Sequence, residues 1–177
     1  MMPSFFGYGS LVNRATHDYP GAQPAQLHGW RRTWVRTEFR DVVFLSVRRD
    51  PDTSIDGLIA QVPRGDWAAL DLRETGYDRI PADGQLSVET GPVAVYQVPD
   101  THQRHGGDHA ILLSYLDVVV QGFLREFGQR GVEAFFATTD GWDTPVRDDR
   151  AAPLYPRAQV LSAQERALTD RLLAQVQ

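Results

Sequence analysis

The chain has no cysteine, which excludes disulfides, thiolate nucleophiles and cysteine-bound zinc. Lysine is missing as well, since all 18 basic residues are arginine. That removes Schiff-base chemistry and the phosphate-binding lysine of a P-loop. Positive charge is in deficit, with a net charge of −5 and a pI near 5.5, whereas a dedicated nucleic-acid binder carries a basic patch. No apolar run approaches the roughly 18 residues of a membrane span. The apolar start is too short for a signal peptide and has no basic residue ahead of it. Internal repeats and low-complexity linkers are absent too. What is present is 177 residues, 42% of them apolar, enough for one domain over 1–177 with a sizeable core. These features lead to the expectation of a cytoplasmic protein that binds neither nucleic acid nor membrane. Its oligomeric state is left open.

The chain is organised around its beginning. The apolar pair Phe5 and Phe6 runs directly into Gly7-Tyr8-Gly9-Ser10-Leu11. Glycines spaced by one residue permit positive φ and close approach to the main chain. A loop of that kind can turn several N–H groups toward a carboxylate, phosphate or oxyanion, and Ser10 adds a hydroxyl. The same stretch also reads as a plain bend after a first strand.

Three strand-like runs follow, at 27–39, 42–47 and 57–62, with 49–53 expected to be the hairpin connection between the second and third. A helix is expected over 66–74, capped by Asp66 and stopped by Gly76. Residues 86–98 read as strand, interrupted by Gly91-Pro92. A histidine-rich loop then leads to a long helix over 108–127, marked by the apolar stripe Ile111, Tyr115, Val118, Val119, Gly122 and Phe123. Ser162 and Glu165 form a capping box that opens a last helix to about residue 175. Early strands followed by helices, without βαβ alternation, predict an α+β fold with a mostly antiparallel, barrel-like or strongly curved sheet.

Glu74 does not fit its surroundings. With Trp67 at zero and about 100° per residue, Leu70 falls near −60° and Glu74 near −20°, within the same apolar face. A carboxylate there, at the helix end the dipole disfavours for negative charge, needs a reason. One reading is a general base whose pKa is raised by burial. The others are an exposed helix end or an ion pair with Arg73 or Arg79. Asp71, near 40°, is the rival on that face. His102, His105 and His109, with Asp108, have spacing reminiscent of a metal site but span a Gly-Gly loop. Ser10 has no nucleophile elbow around it. His17 and His28 read as surface or packing residues, and 147–150 as a solvated, self-paired loop. Tyr155-Pro156-Arg157 is a fixed turn able to line a pocket.

The loop Tyr8, Gly9, Ser10 and Leu11, taken with Leu70-x3-Glu74-x-Gly76-Tyr77, resembles the γ-glutamylcyclotransferase-like superfamily. The resemblance covers roughly the first hundred residues. It implies a small barrel-like mixed, mostly antiparallel sheet with flanking helices. It also implies that the backbone of Tyr8, Gly9, Ser10 and Leu11 cradles a γ-glutamyl group and that Glu74 is the acid/base. The activity implied is cofactor-independent closure of that group to 5-oxoproline, with release of an amine or amino acid. No metal is required. Val12-Asn13-Arg14 stand where many relatives carry an aromatic residue, so glutathione specificity does not transfer. Two alternatives remain: a binding module on the same fold without turnover, and a His102/His105/His109 metal hydrolase.

Overall fold

In the computed structural model, which describes residues 2–177, a curled, mostly antiparallel half-barrel sheet is packed by helices on both faces. Its strands are β1 (Ser4–Gly7), β2 (Gln23–Thr37), β3 (Val43–Gln61), β4 (Asp78–Pro81), β5 (Val93–Gln97) and β6 (Gln103–Arg104), in the order β4-β5-β1-β3-β2-β6. A short β7 (Ile111–Leu112) lies outside this sheet, β8 (Thr139–Asp140) adds to β2, and β9 (Val146–Arg147) pairs with β7. β1 is parallel to β5 and β8 is parallel to β2; the other pairings within the sheet are antiparallel. No helix among the described residues is long and apolar enough to cross a membrane.

β3 corrects the expected hairpin at 49–53. It is one strand of 19 residues whose two halves both pair antiparallel with β2, Val43 opposite Arg36 and Ile59 opposite Gln23. Between Arg49 opposite Trp30 and Ser54 opposite His28, the intervening residues of β3 bulge out. Asp50 holds the bulge together by accepting from Thr53 Oγ1 at 2.8 Å. Pro and Asp residues signal a departure from the ladder, but they do not specify whether the chain reverses. A bulge uses the same residue types, bends the strand and increases the twist.

The adjacent phenylalanines of β1 point to opposite faces, as the pleat requires. Phe6 joins the main core with Leu116, Val119, Val120 and Phe123 of α2 (Leu113–Ala137), whereas Phe5 joins a second core with Leu11, Leu70 and Tyr96. The second core is covered by α1 (Ala68–Arg73), which brings Leu70 to complete burial. Its N-terminus is close to expectation: Trp67 is the boundary residue, and Asp66 Oδ1 accepts from the Ala68 N–H at 3.1 Å. β4 was not expected. It is a short edge strand, where a proline is tolerated, and 86–92 is mostly irregular instead.

α2 begins at Leu113, later than expected, because 110–112 is extended: Ala110 accepts from the Val43 N–H at 3.0 Å and β7 pairs with β9. Its start is fixed from far along the chain. Asp149, 6% exposed, accepts from the Ser114 N–H at 2.8 Å and the Ser114 hydroxyl at 2.6 Å. The helix is interrupted at Gly128, φ 67° and ψ −171°, and then resumes. Arg150 forms a bidentate pair with Asp117 at 2.7 and 2.8 Å and meets Asp170 at 2.8 Å. The 147–150 stretch is therefore an anchor onto α2 and α3 (Ala163–Val176), not a solvated loop paired with itself. The capping box at Ser162 and Glu165 is present as expected.

Candidate functional site

Because β1 is buried on both faces, the chain leaving it emerges at the seam between the two cores. Tyr8 packs into the main core and Leu11 into the second. Ser10–Val12 form a single 3-10 turn. The N–H groups of Gly9, Ser10 and Leu11 donate to no backbone acceptor among the described residues. Gly9 has φ −130°, so the expected positive φ is not what requires glycine there. Contact does: a Cβ would lie 2.7 Å from Tyr115 Oη and 3.1 Å from Leu45 Cδ2.

The loop is held from below by a buried arginine. Arg32, fully buried, donates from Nε to the Tyr8 carbonyl at 2.8 Å, from Nη1 to Thr138 Oγ1 at 2.9 Å, and to the Asp56 carbonyl. Its guanidinium packs on Phe123 and Phe135 at 4.9 and 5.0 Å. Burial pulls its pKa down to about 9, so it remains charged at neutral pH. The Tyr8 carbonyl is thereby turned inward to Arg32, and the Ser10 N–H is directed at the Tyr115 hydroxyl oxygen. Asn13 ties the next turn to α2, donating to the Val118 carbonyl at 2.9 Å. His17 Nδ1 accepts from the Tyr19 N–H at 3.2 Å, which leaves the proton on Nε2 for the Leu11 carbonyl at 2.9 Å. His17 thus braces the loop.

Glu74 follows the last turn of α1, and its N–H still donates to the Leu70 carbonyl at 2.9 Å. Its side chain is 16% exposed, and Oε1 lies 3.3 Å from Arg73 Nε. Burial raises its pKa, with Arg73 and then Arg157 pulling the other way. Arg73 also reaches the loop, donating to the Thr16 carbonyl at 2.8 Å and to Ser10 Oγ at 3.4 Å.

One cleft contains both. It is lined by Tyr8, Gly9, Ser10, Leu11 and Glu74, together with Leu45, Tyr77 and Tyr115. Its empty space, mouth included, is about 310 Å³, and a water molecule's centre can move over about 30 Å³ of it. The cleft is therefore narrow. Burial raises the pKa of Tyr8, Tyr77 and Tyr115 alike, so all three phenols stay protonated. The Tyr8 hydroxyl donates to the Tyr96 carbonyl at 2.6 Å and the Tyr77 hydroxyl to the Leu45 carbonyl at 2.9 Å. Both are committed to the scaffold.

The sequence reading missed Arg73 as a link to the loop, and it missed Tyr77 and Tyr115 as lining residues. A phenol inside the apolar stripe of α2 was the available signal for Tyr115. Asp71 lies apart: its side chain is 47% exposed, it pairs with Arg79 at 3.0 Å, and it accepts from the Tyr96 hydroxyl at 2.5 Å. The three histidines do not converge. His102 packs edge-on against Phe39, His109 meets the Thr37 carbonyl at 3.0 Å, and His105 is exposed. No group of His, Asp or Glu among the described residues is placed to hold a metal ion. Two roomier depressions, one beside Gly21 and Gln61 and one beside Asp41 and His109, contain neither Glu74 nor the loop.

The fold is similar to those of solved structures. A structure described as a gamma-glutamyl cyclotransferase matches 95% of this chain and 98% of its own, at 13% identity and a TM-score of 0.59. An uncharacterised protein from Homo sapiens matches over 94% and 97%, also at 13% identity and 0.59. YkqA from Bacillus subtilis matches 79% of this chain but 56% of its own length, at 16% identity and 0.55. No family model and no curated protein matches the chain in sequence. At these identities the fold is what is shared. It is the γ-glutamylcyclotransferase-like fold that the 8–11 loop and Glu74 led us to expect.

Proposed function

We propose that the chain is a γ-glutamylcyclotransferase-like enzyme that closes a γ-glutamyl group to 5-oxoproline and frees an amine or amino acid. The observation that carries this reading is that Glu74 lines one narrow cleft together with Gly9, Ser10 and Leu11, whose N–H groups have no backbone acceptor among the described residues. In such a substrate the α-amine and the δ-carbonyl belong to one molecule. Holding it bent makes the attack intramolecular, and orientation then supplies much of the rate.

Glu74 takes a proton from the α-ammonium, and the free amine attacks the carbonyl carbon, forming the lactam C–N bond. The loop N–H groups hold the oxygen on which charge develops. As the bond to the leaving nitrogen breaks, Glu74 returns its proton there. The second proton shed by the attacking nitrogen ends on the freed amine as its ammonium. The raised pKa of Glu74 suits a group that must both accept and donate near neutrality.

The test is release of 5-oxoproline from γ-glutamyl dipeptides, γ-glutamylamines and glutathione. Release from at least one is expected, and folded protein that releases it from none refutes the reading. A second reading, binding without turnover, draws on the Arg73 contact at 3.3 Å, which weakens Glu74 as a base. It requires the γ-glutamyl ligand to be recovered intact after long incubation.

A further inference from the structure

Tyr115, which lines the cleft, packs against a second tyrosine whose hydroxyl has nothing to bond among the described residues. Tyr155 Oη is buried and has no hydrogen-bond partner among the described residues. Its ring meets Tyr115 edge-on, with centroids 5.0 Å apart and planes at 86°, and Tyr115 lines the cleft. An unsatisfied buried hydroxyl is costly, and one in a native structure needs an explanation. If this ring only filled space, phenylalanine would do so without the cost.

The chain also fixes the position of this residue with care. Asp149, while capping α2, accepts from the Leu154 N–H at 2.8 Å, and the Tyr155 N–H reaches Ser114 Oγ at 3.4 Å. A turn closed by the Ala158 N–H on the Tyr155 carbonyl at 3.1 Å carries Arg157. Arg157 forms no ion pair among the described residues, although its charge is felt at Glu74 and at Tyr19.

We propose that Tyr155 and Arg157 form a carboxylate-binding corner of the cleft, the Tyr155 hydroxyl donating to a substrate carboxylate oxygen and Arg157 supplying the counter-charge. This rests on the γ-glutamyl reading above. A γ-glutamyl compound carries an α-carboxylate, and a γ-glutamyl amino acid carries a second one on its leaving group. The chemistry of the corner serves either.

The test uses Glu74→Gln, in which ligand should bind without turnover, alone and combined with Tyr155→Phe or Arg157→Gln. Two probes are titrated calorimetrically: γ-glutamylalanine, and γ-glutamylethylamide, which lacks the second carboxylate. Tyr155→Phe keeps the ring against Tyr115 and should weaken binding by about 10- to 100-fold, as for a hydrogen bond to a charged acceptor. Its Tm should stay level or rise, because the orphan hydroxyl is gone. Arg157→Gln should weaken binding and flatten its salt dependence.

Loss for both probes assigns the corner to the α-carboxylate; loss for γ-glutamylalanine alone assigns it to the leaving group. If Glu74→Gln binds and adding Tyr155→Phe changes neither probe, the corner is refuted while the γ-glutamyl reading stands. A lower Tm for Tyr155→Phe, with binding lost only in proportion to unfolded protein, also refutes it. If the parent binds neither probe and the wild-type protein releases no 5-oxoproline, both readings fall together.

Discussion

Glu74→Gln should separate chemistry from binding. Glutamine keeps the shape of the side chain beside Arg73 but accepts no proton at neutral pH. A positioned acid/base contributes about 10²–10⁴-fold, which corresponds to roughly 3–5 kcal/mol of barrier. The cleft itself should persist. Arg73 keeps its bonds to the Thr16 carbonyl at 2.8 Å, Thr16 Oγ1 at 3.0 Å and Ser10 Oγ at 3.4 Å, so the loop remains braced without the carboxylate. Steady-state release of 5-oxoproline should therefore fall by that factor, while calorimetric affinity for a γ-glutamyl ligand changes by less than about threefold.

Stability gives a second readout with a definite sign. Burial raises the pKa of Glu74 from 4.5, so the folded state holds the proton more tightly than the unfolded chain. The stability this contributes is fully present below the unfolded value and is lost as pH rises through the folded one. Glutamine does not titrate, so the Tm of Glu74→Gln relative to wild type should climb across that window and then level off. In wild type, the acidic limb of the pH–rate profile should lie above the ordinary glutamate range. Asp71→Asn should leave turnover within about threefold, since Asp71 pairs with Arg79 outside the cleft. Full activity in Glu74→Gln together with a dead Asp71→Asn would show that the wrong carboxylate has been chosen.

Gly9→Ala should abolish or strongly weaken ligand binding, because its Cβ meets Tyr115 Oη at 2.7 Å and such overpacking costs about 1–3 kcal/mol; unchanged affinity would exclude the loop as the cradle. Gly128→Ala should lower Tm by a few degrees through the backbone alone. Its φ of 67° and ψ of −171° lie in a region that costs a side chain about 1–3 kcal/mol, and an added Cβ touches nothing within 4 Å. Asp149→Asn should destabilise by about 1–3 kcal/mol at neutral pH, because an amide nitrogen replaces the Oδ2 that accepts from the Ser114 hydroxyl and the Leu154 N–H. Burial works against the Asp149 charge, but the hydrogen bonds from Ser114 and Leu154 outweigh it and hold the pKa below 3.8. That stability is present above 3.8 and lost as pH falls through the folded value, so the difference from wild type should shrink in acid.

What the sequence determined by itself is what near neighbours decide. The strand Phe5–Phe6 ending in glycines, the capping box at Ser162 and Glu165, the stop at Gly76 and the misfit of Glu74 on an apolar face each depend on residues a few positions apart. The α+β class followed from their order. The continuity of β3, the start of α2 and the anchoring of 147–150 depended on partners that only the folded chain supplies. Residues 49–53 read as a turn because a bulge and a hairpin use the same residue types, and β2 decides between them by pairing with both flanks. α2 begins where Asp149, 35 residues beyond Ser114, meets its first turn. The rest of the cleft is likewise tertiary. Tyr8 and Arg32 are 24 residues apart, Arg73 and Ser10 are 63 apart, and Tyr115 and Tyr155 face each other from a helix and a distant turn. No local period marks such pairs, because their geometry is set by how two cores close on either side of β1.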